Sequence, residues 1–497
     1  MRFRNIFLTA WLALTAASMT VSNASAEVAQ PPRPKLQIIN GSSGTIDLFW
    51  LKNDSERVPS GSVEPGHDTV IDTSIGHRFE IVSRADKATA VVTSQVPVQG
   101  FRFDPNGRDG IPAFYTQRVS AKGFPIVASS KVDPHALQEA AFLVDMMLAK
   151  RPDVRAAMIQ SGARMCIMAH NEFTTDLPEF VRMAEGRLRD FPSLPAKDFW
   201  DARARGLGGS ETDPLCTVAE ENVLGFPGDP YEKECILIHE FAHNIHLRGL
   251  LNVDRTFDSR LKSTYAAAMK AGLWKGKYAS VNPHEYFAEG VQSWFDNNRV
   301  NDHDHNHVHL RAQLIKYDPG LAGLCREVFG DTKLKYSKPA TRLTVHLEKY
   351  DPVKAPKFFW PRRLMHGSAE IRAKAEARDK ATNEGDKRGS PALMANGRTL
   401  NSRTLPMNLL PSALFEIKGG ARLGRRRPAS LPPHGTCRGA GSAAGSGVGG
   451  SVAGQRSGVS AQGLAGRRHF PMLGLRTLAG GWNPLLGIAL GSFREAL

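Results

Sequence analysis

The chain has 497 residues, 41% of them hydrophobic and 23% charged, the make-up of an ordinary soluble protein with room for two or three domains. Its formal net charge of +15 invites a nucleic-acid reading, but the excess sits in one place. Residues 351–497 hold 23 Lys+Arg against 8 Asp+Glu, so the first 350 residues carry no net charge, which argues against a basic groove and a nucleic-acid partner there.

In chain order, Arg2 and Arg4 precede an apolar run at 6–17 and then Ala24-Ser25-Ala26. Charge, apolar stretch and small-residue cleavage site read as a signal peptide over 1–26. The run is shorter than the ~20 apolar residues a membrane span needs. The expectation is a cleaved signal, no membrane span, and a secreted or periplasmic protein. After a proline-rich lead-in at 30–35, residues 36–100 alternate short β-rich runs (36–39, 45–51) with turn residues (41–44, Pro65-Gly66), which predicts a small all-β sandwich. The texture changes after about residue 130. Asp133-Pro134 supplies a cap and a first-turn proline, and Leu137, Ala140, Ala141, Val144, Met147 and Leu148 follow at helical spacing. A second helix is expected at 152–161 and a buried strand at 165–169. Arg205-Gly206-Leu207-Gly208-Gly209 lacks the Lys-Ser/Thr ending of a phosphate loop and reads as an exposed turn or edge segment. From 352 the pattern fades. Residues 371–390 could form an exposed charged helix, and 419–468 are too poor in large apolar groups to offset their ordering entropy. The segment 352–497 therefore reads as a low-complexity, mostly disordered tail, dispensable for activity.

Of five cysteines, Cys166, Cys216, Cys235 and Cys325 could form two disulfide bridges in an oxidising compartment, with all three pairings open. A Cys216–Cys235 bridge would close a short loop and contribute about 3 kcal/mol. Cys437 is the odd one, in the tail.

The chemistry concentrates in His239-Glu240-Phe241-Ala242-His243. Asp229-Pro230, with Glu232, predicts the start of a helix, and Gly249 its stop. On that helix His239 and His243 lie one turn apart on one face. Two imidazoles so placed can hold zinc, and Glu240 beside them can take a proton from an attacking water. His246 extends the face one turn past His243, where a histidine is more often structural than a ligand, and His246 and Gly249, where a metzincin needs Gly and His, rule out that class. The third ligand is expected from Asn282-Pro283-His284-Glu285-Tyr286-Phe287-Ala288-Glu289. Asn282 caps and Pro283 opens a helix that places Glu285 and Glu289 on one face. One carboxylate can bind zinc while the other orients a ligand histidine. His303, His305, His307 and His309 alternate, as on one face of a metal-binding strand or simply in a polar loop.

This pattern resembles the gluzincin metallopeptidases, most closely the anthrax lethal factor family. The shared landmarks are the His239–His243 motif, Tyr278, Asn282 and the Glu285-Tyr286-Phe287-Ala288-Glu289 run. The resemblance implies an α+β zincin-like domain over about 130–350. It also implies Zn2+ held by His239, His243 and Glu285, Glu289 behind them, and Tyr278 donating to the tetrahedral oxyanion. Residues 36–100 resemble the β domain of the von Hippel–Lindau tumour suppressor through Asn40, Trp50-Leu51, Pro65-Gly66 and Gly76-His77. Its hydroxyproline-binding positions fall on Ser60, Thr73, His77 and Phe79, of which His77 alone is kept. The domain reads as a docking or spacing module with a protein as its candidate ligand. The expectation for the whole is a zinc endopeptidase acting on a peptide or protein substrate. The competitors are a binding protein with an inactive zinc domain and a zinc hydrolase of non-peptide substrates.

Overall fold

The computed structural model describes residues 33–209 and 214–388; the signal at 1–26, Cys437 and the stretch 419–468 lie outside the described residues. The result is an α+β molecule with sheets first and helices plus a sheet after them.

Seven strands from Lys35 to Phe103 make two sheets. One runs Asp68–Asp72, Lys35–Asn40, Val98–Phe103; the other runs Arg57–Val63, Ile46–Leu51, Arg78–Ser83, Thr89–Thr93. Strand side chains alternate between faces. Leu36 and Ile38, Ile46 and Leu48, and Phe79 and Ile81 are therefore turned into one shared core, with Phe103 closing it. Asn40, fully buried, donates to the carbonyls of Gly44 and Val63 at 2.8 Å and accepts from the Ser42 amide at 2.9 Å, which pins the 41–44 turn. Strand Val98–Phe103 carries the sheet three residues past the expected end at 100.

The second sheet has five strands in the order Gly206–Leu207, Leu215–Ala219, Arg164–Met168, Phe124–Ala128, Gln117–Ala121. Its central pairings are parallel and both edge strands antiparallel. The hairpin at 117–128 turns through Lys122 and Gly123 at positive φ and starts this layer before the expected boundary at 130. Ile126, Met165, Ile167, Cys216 and Val218 face the main helical core, while Val127, Cys166 and Met168 face Tyr115, Leu177 and Phe180. Helix Pro134–Met147 begins as expected, with the Asp133 carboxylate accepting from the His135 amide at 2.9 Å. Helix Pro152–Gln160 also falls where expected. Asn252 lashes the sandwich to this region, accepting from the Val98 amide at 2.7 Å and donating to its carbonyl at 3.0 Å.

Two expectations need correction. The described cysteines form no disulfides: Cys166, Cys216, Cys235 and Cys325 are free and buried. In the parallel ladder Cys166 sits opposite Thr217 and Cys216 opposite Met165. That one-residue offset sends the two thiols to opposite faces of the sheet. All four behave as small apolar core groups. The second correction concerns residues 352–388 of the tail alone, since 389–497 lie outside the described residues. A 27-residue helix, Arg362–Arg388, packs back on the molecule through Leu364, which is 0% exposed, beside Phe173 and Ala202. Among the described residues no helix is long and apolar enough to cross a membrane.

Candidate metal centre

The histidine helix is Ile236–Asn244, and it starts later than Asp229-Pro230 suggests. Asp229 is buried, and its carboxylate accepts from the Tyr231 amide and the Asn222 side chain, both at 2.9 Å, which folds 229–234 into turns. The first amides of the helix region are met from far away. Asn222 Oδ1 accepts from Ile236 N and Asn297 Oδ1 from Cys235 N, both at 2.8 Å. At the other end Gly249 does not stop the chain, which widens into a π-helical segment, Ile245–Leu250. Glycine serves close packing there: a Cβ on it would lie 2.5 Å from Val154 Cγ1. The glutamate helix, Pro283–Trp294, starts as read, with Asn282 Oδ1 accepting from His284 N at 2.8 Å and Glu285 N at 2.9 Å.

The two helices bring three donor atoms together. His239 Nε2 lies 3.0 Å from Glu285 Oε2 and 3.2 Å from His243 Nε2, and His243 Nε2 lies 3.2 Å from Glu285 Oε2. Ligands at about 2.0–2.2 Å from one zinc ion stand roughly 3.0–3.5 Å apart, so the residues fit the ion. Among the described residues this is the one group of three or more His, Cys, Asp or Glu side chains so disposed.

The tautomer of His239 is set behind it. Glu234 Oε2 accepts from Gln292 Nε2 at 2.7 Å, which turns Gln292 Oε1 toward His239 Nδ1 at 2.8 Å. A carbonyl oxygen only accepts, so Nδ1 carries the proton and Nε2 is left to face the cluster. Glu289, expected in this role, lies 3.5 Å from Nδ1. It accepts instead from Asn298 at 2.8 Å and stands 3.3 Å from His305 Nε2. Sequence reasoning missed Gln292, although 285, 289 and 292 share one face of the helix. The 301–309 segment is a loop and not a strand. In it, His305 is buried and bridges Glu289 to Asp302, 2.8 Å from the latter. His246 points elsewhere, packed on Phe257, His284 and Phe287 and 3.4 Å from Asp258.

Electrostatics match a cation site. Burial opposes charge on His239, but Glu285, Glu240 and Glu289 outweigh it and raise the imidazole to about 10. Burial also opposes charge on Glu285, yet His243 and His239 hold its carboxyl well below the usual range. Burial pushes the Glu240 carboxyl up.

These residues line a cavity of about 550 Å³ that also takes in Glu240, Tyr278, Arg203, Phe191 and Phe199. Tyr278 is held by its amide, which donates to the Asp304 carbonyl at 2.8 Å, and its ring centroid is 6.0 Å from that of His239. The edge strand Gly206–Leu207 and the following glycines form another wall. A Cβ on Gly208 would fall 2.6 Å from the His243 ring, and one on Gly206 3.0 Å from the Glu240 side chain, so glycine lets this edge approach. Ile371, Lys374, Ala375 and Arg378 line the same cavity, which places part of the supposed dispensable tail in its wall.

In comparisons with known proteins, no family model and no curated protein matches the chain.

Proposed function

We propose that the chain is a zinc-dependent endopeptidase of the lethal-factor-like gluzincin kind with a zincin-like domain, exported by the signal at 1–26. The observation that carries this reading is the convergence of His239, His243 and Glu285 within 3.2 Å of one another in a cavity that also holds Glu240. Zinc in that position would supply Lewis acidity toward a carbonyl and acidify water. Glu240 takes the proton of the attacking water and returns it to the leaving amine. Its upward shift through burial moves it toward the range in which a carboxyl can do both. Tyr278 donates its hydroxyl to the carbonyl oxygen as charge develops there. Gln292 keeps His239 oriented. A polypeptide is favoured over other substrates because the outer side of Gly206–Leu207 bears no strand among the described residues. An extended chain can pair with such an edge.

The sandwich is read as a docking module. Phe79 is 3% exposed in its core. The Thr73 hydroxyl lies 3.1 Å from His77 Nδ1 and the Ser60 hydroxyl accepts from the Trp50 amide at 3.1 Å. With these groups engaged, hydroxyproline recognition is not part of the proposal.

The test is cleavage of a diverse peptide library by the full-length chain, with zinc content measured, beside Glu240→Ala. Cleavage by the parent alone supports the peptidase. Zinc bound in both with cleavage by neither would remove it and favour the inactive binding protein.

A further inference from the structure

Helix Arg362–Arg388 crosses the mouth of the metal cavity. Ile371, Lys374, Ala375 and Arg378, which line the cavity, fall on one face of it. On one bank the helix is held by several groups. Arg363 reaches Asp198 at 2.6 Å and Asp201 at 2.7 Å, and the Ser193 hydroxyl donates to Glu370 at 2.9 Å. Lys374 donates to the Asp190 carbonyl and lies 4.3 Å over the Phe191 ring. Ile371 packs on the cluster of Phe191, Leu194, Phe199 and Trp200. On the opposite bank Arg378 Nη2 lies 3.3 Å from Asp304 Oδ1. Asp304 sits beside His305, which stands 3.3 Å from Glu289. The helix thus ties together two banks that both belong to the cavity. The tie to the second bank is a partly exposed ion pair, with side chains 32% and 17% exposed, a kind that breaks easily and is screened by salt.

We infer that this helix is a strap that makes the cavity selective for thin, extended chains, with the Arg378–Asp304 pair as its latch. The inference names the substrate class of the peptidase proposed above and rests on that reading. A helix with its side chains is about 10–12 Å across, and laid against a cavity of about 550 Å³ it leaves space for a short run of extended chain and none for a folded domain. Release at Asp304 lets the helix swing on its firmly held bank.

The experiment uses the full-length chain with Leu207→Cys as a reporter thiol in the cavity wall and Cys437→Ser to remove the tail thiol. Labelling of the reporter is followed by mass spectrometry with N-ethylmaleimide and with a polyethylene-glycol maleimide of several kilodaltons. In the parent the bulky reagent lags far behind the small one. Arg378→Glu raises the bulky-to-small ratio several-fold, and the swap Arg378→Glu with Asp304→Lys returns it toward the parent. Without the reporter, Arg378→Glu raises the ratio of folded-protein to short-peptide cleavage several-fold. An equal ratio in all three forms overturns the strap, and a rise that the swap leaves in place overturns the latch. If the ratio shifts as stated but no form cleaves any peptide, the peptidase reading falls and the strap stands. If peptides are cleaved and the ratio never moves, the strap alone falls.

Discussion

The sandwich and the region of the candidate metal centre handle charge in opposite ways. In residues 33–103 the buried polar groups are all uncharged: Gln37, Asn40, Ser42, Thr73, Ser83, Ser94 and Gln99. Its carboxylates meet arginines at the surface, as in Arg84–Asp47 and Arg57–Glu80, both at 2.7 Å, pairs of the kind worth about 0–1 kcal/mol. Around the His239, His243 and Glu285 cluster charge goes inside. Arg205 and Glu221, both 0% exposed, pair at 2.5 Å. Glu139, also 0% exposed, is held by Arg342 and His346. Glu172, Glu289, His239 and His243 are buried too. Burying an ion costs several kcal/mol unless a well-placed partner answers it. The contrast therefore separates a region whose core holds apolar and neutral hydrogen-bonded groups from one in which a framework of partnered charges surrounds the candidate site.

Perturbing each region in turn sharpens that contrast. The largest effect is expected at Glu240. Glu240→Gln should lower kcat/KM on peptides by about 10²–10⁴-fold while zinc content and Tm stay at parental values; a small loss of activity would sink the general-base role. Phe79→Ala in the sandwich core should do the reverse, costing about 3–5 kcal/mol in urea unfolding with kcat of the folded fraction unchanged. Next comes pH. Burial raises the Asp229 carboxyl from 3.8 to about 7, against the bonds from Tyr231 and Asn222. The native state then keeps a proton that the unfolded chain gives up near pH 4. Stability should fall as pH rises from about 4 to about 7 and level off above, by up to about 4 kcal/mol. Asp229→Asn should flatten that slope in urea titrations at stepped pH, and an unchanged slope would remove Asp229 as its source. The smallest effect is expected at Gln292. Gln292→Ala should weaken zinc binding about 10–100-fold, read by competition with a chromophoric chelator, and leave the sandwich's unfolding midpoint in place.

How much of this is legible in the sequence depends on the range of the interactions. The glutamate helix is readable because its start is local: the Asn282 side chain accepts from amides two and three residues on. The pairing of His239 with His243 is equally local, one helical turn. The start of the histidine helix is not, because its amides are met by Asn222 and Asn297, remote in sequence, and Asp229, which looks like a cap, is spent on a turn. The sandwich announces itself through alternation. Disulfides are over-read because sequence spacing cannot show that Cys166 and Cys216 lie on opposite faces of one sheet. The strap escapes a sequence reading for a compositional reason. Helix Arg362–Arg388 is highly charged and resembles a solvated helix, and only its contacts with Asp198, Asp201 and Asp304 give its arginines a purpose.

Three of the four residues 206–209 are glycine; a side chain at 208 would collide with the His243 ring, and one at 206 would crowd Glu240. A rail of that composition offers a passing polypeptide amides and carbonyls but almost no side chains. It can hold a substrate's backbone straight while remaining blind to the letters of its sequence. Any preference of the proposed peptidase must then be written on the other walls, in Phe191, Phe199, Arg203 and the underside of the strap. Those walls can change without disturbing His239, His243 and Glu285, which would leave the proposed chemistry fixed and the choice of target free to drift.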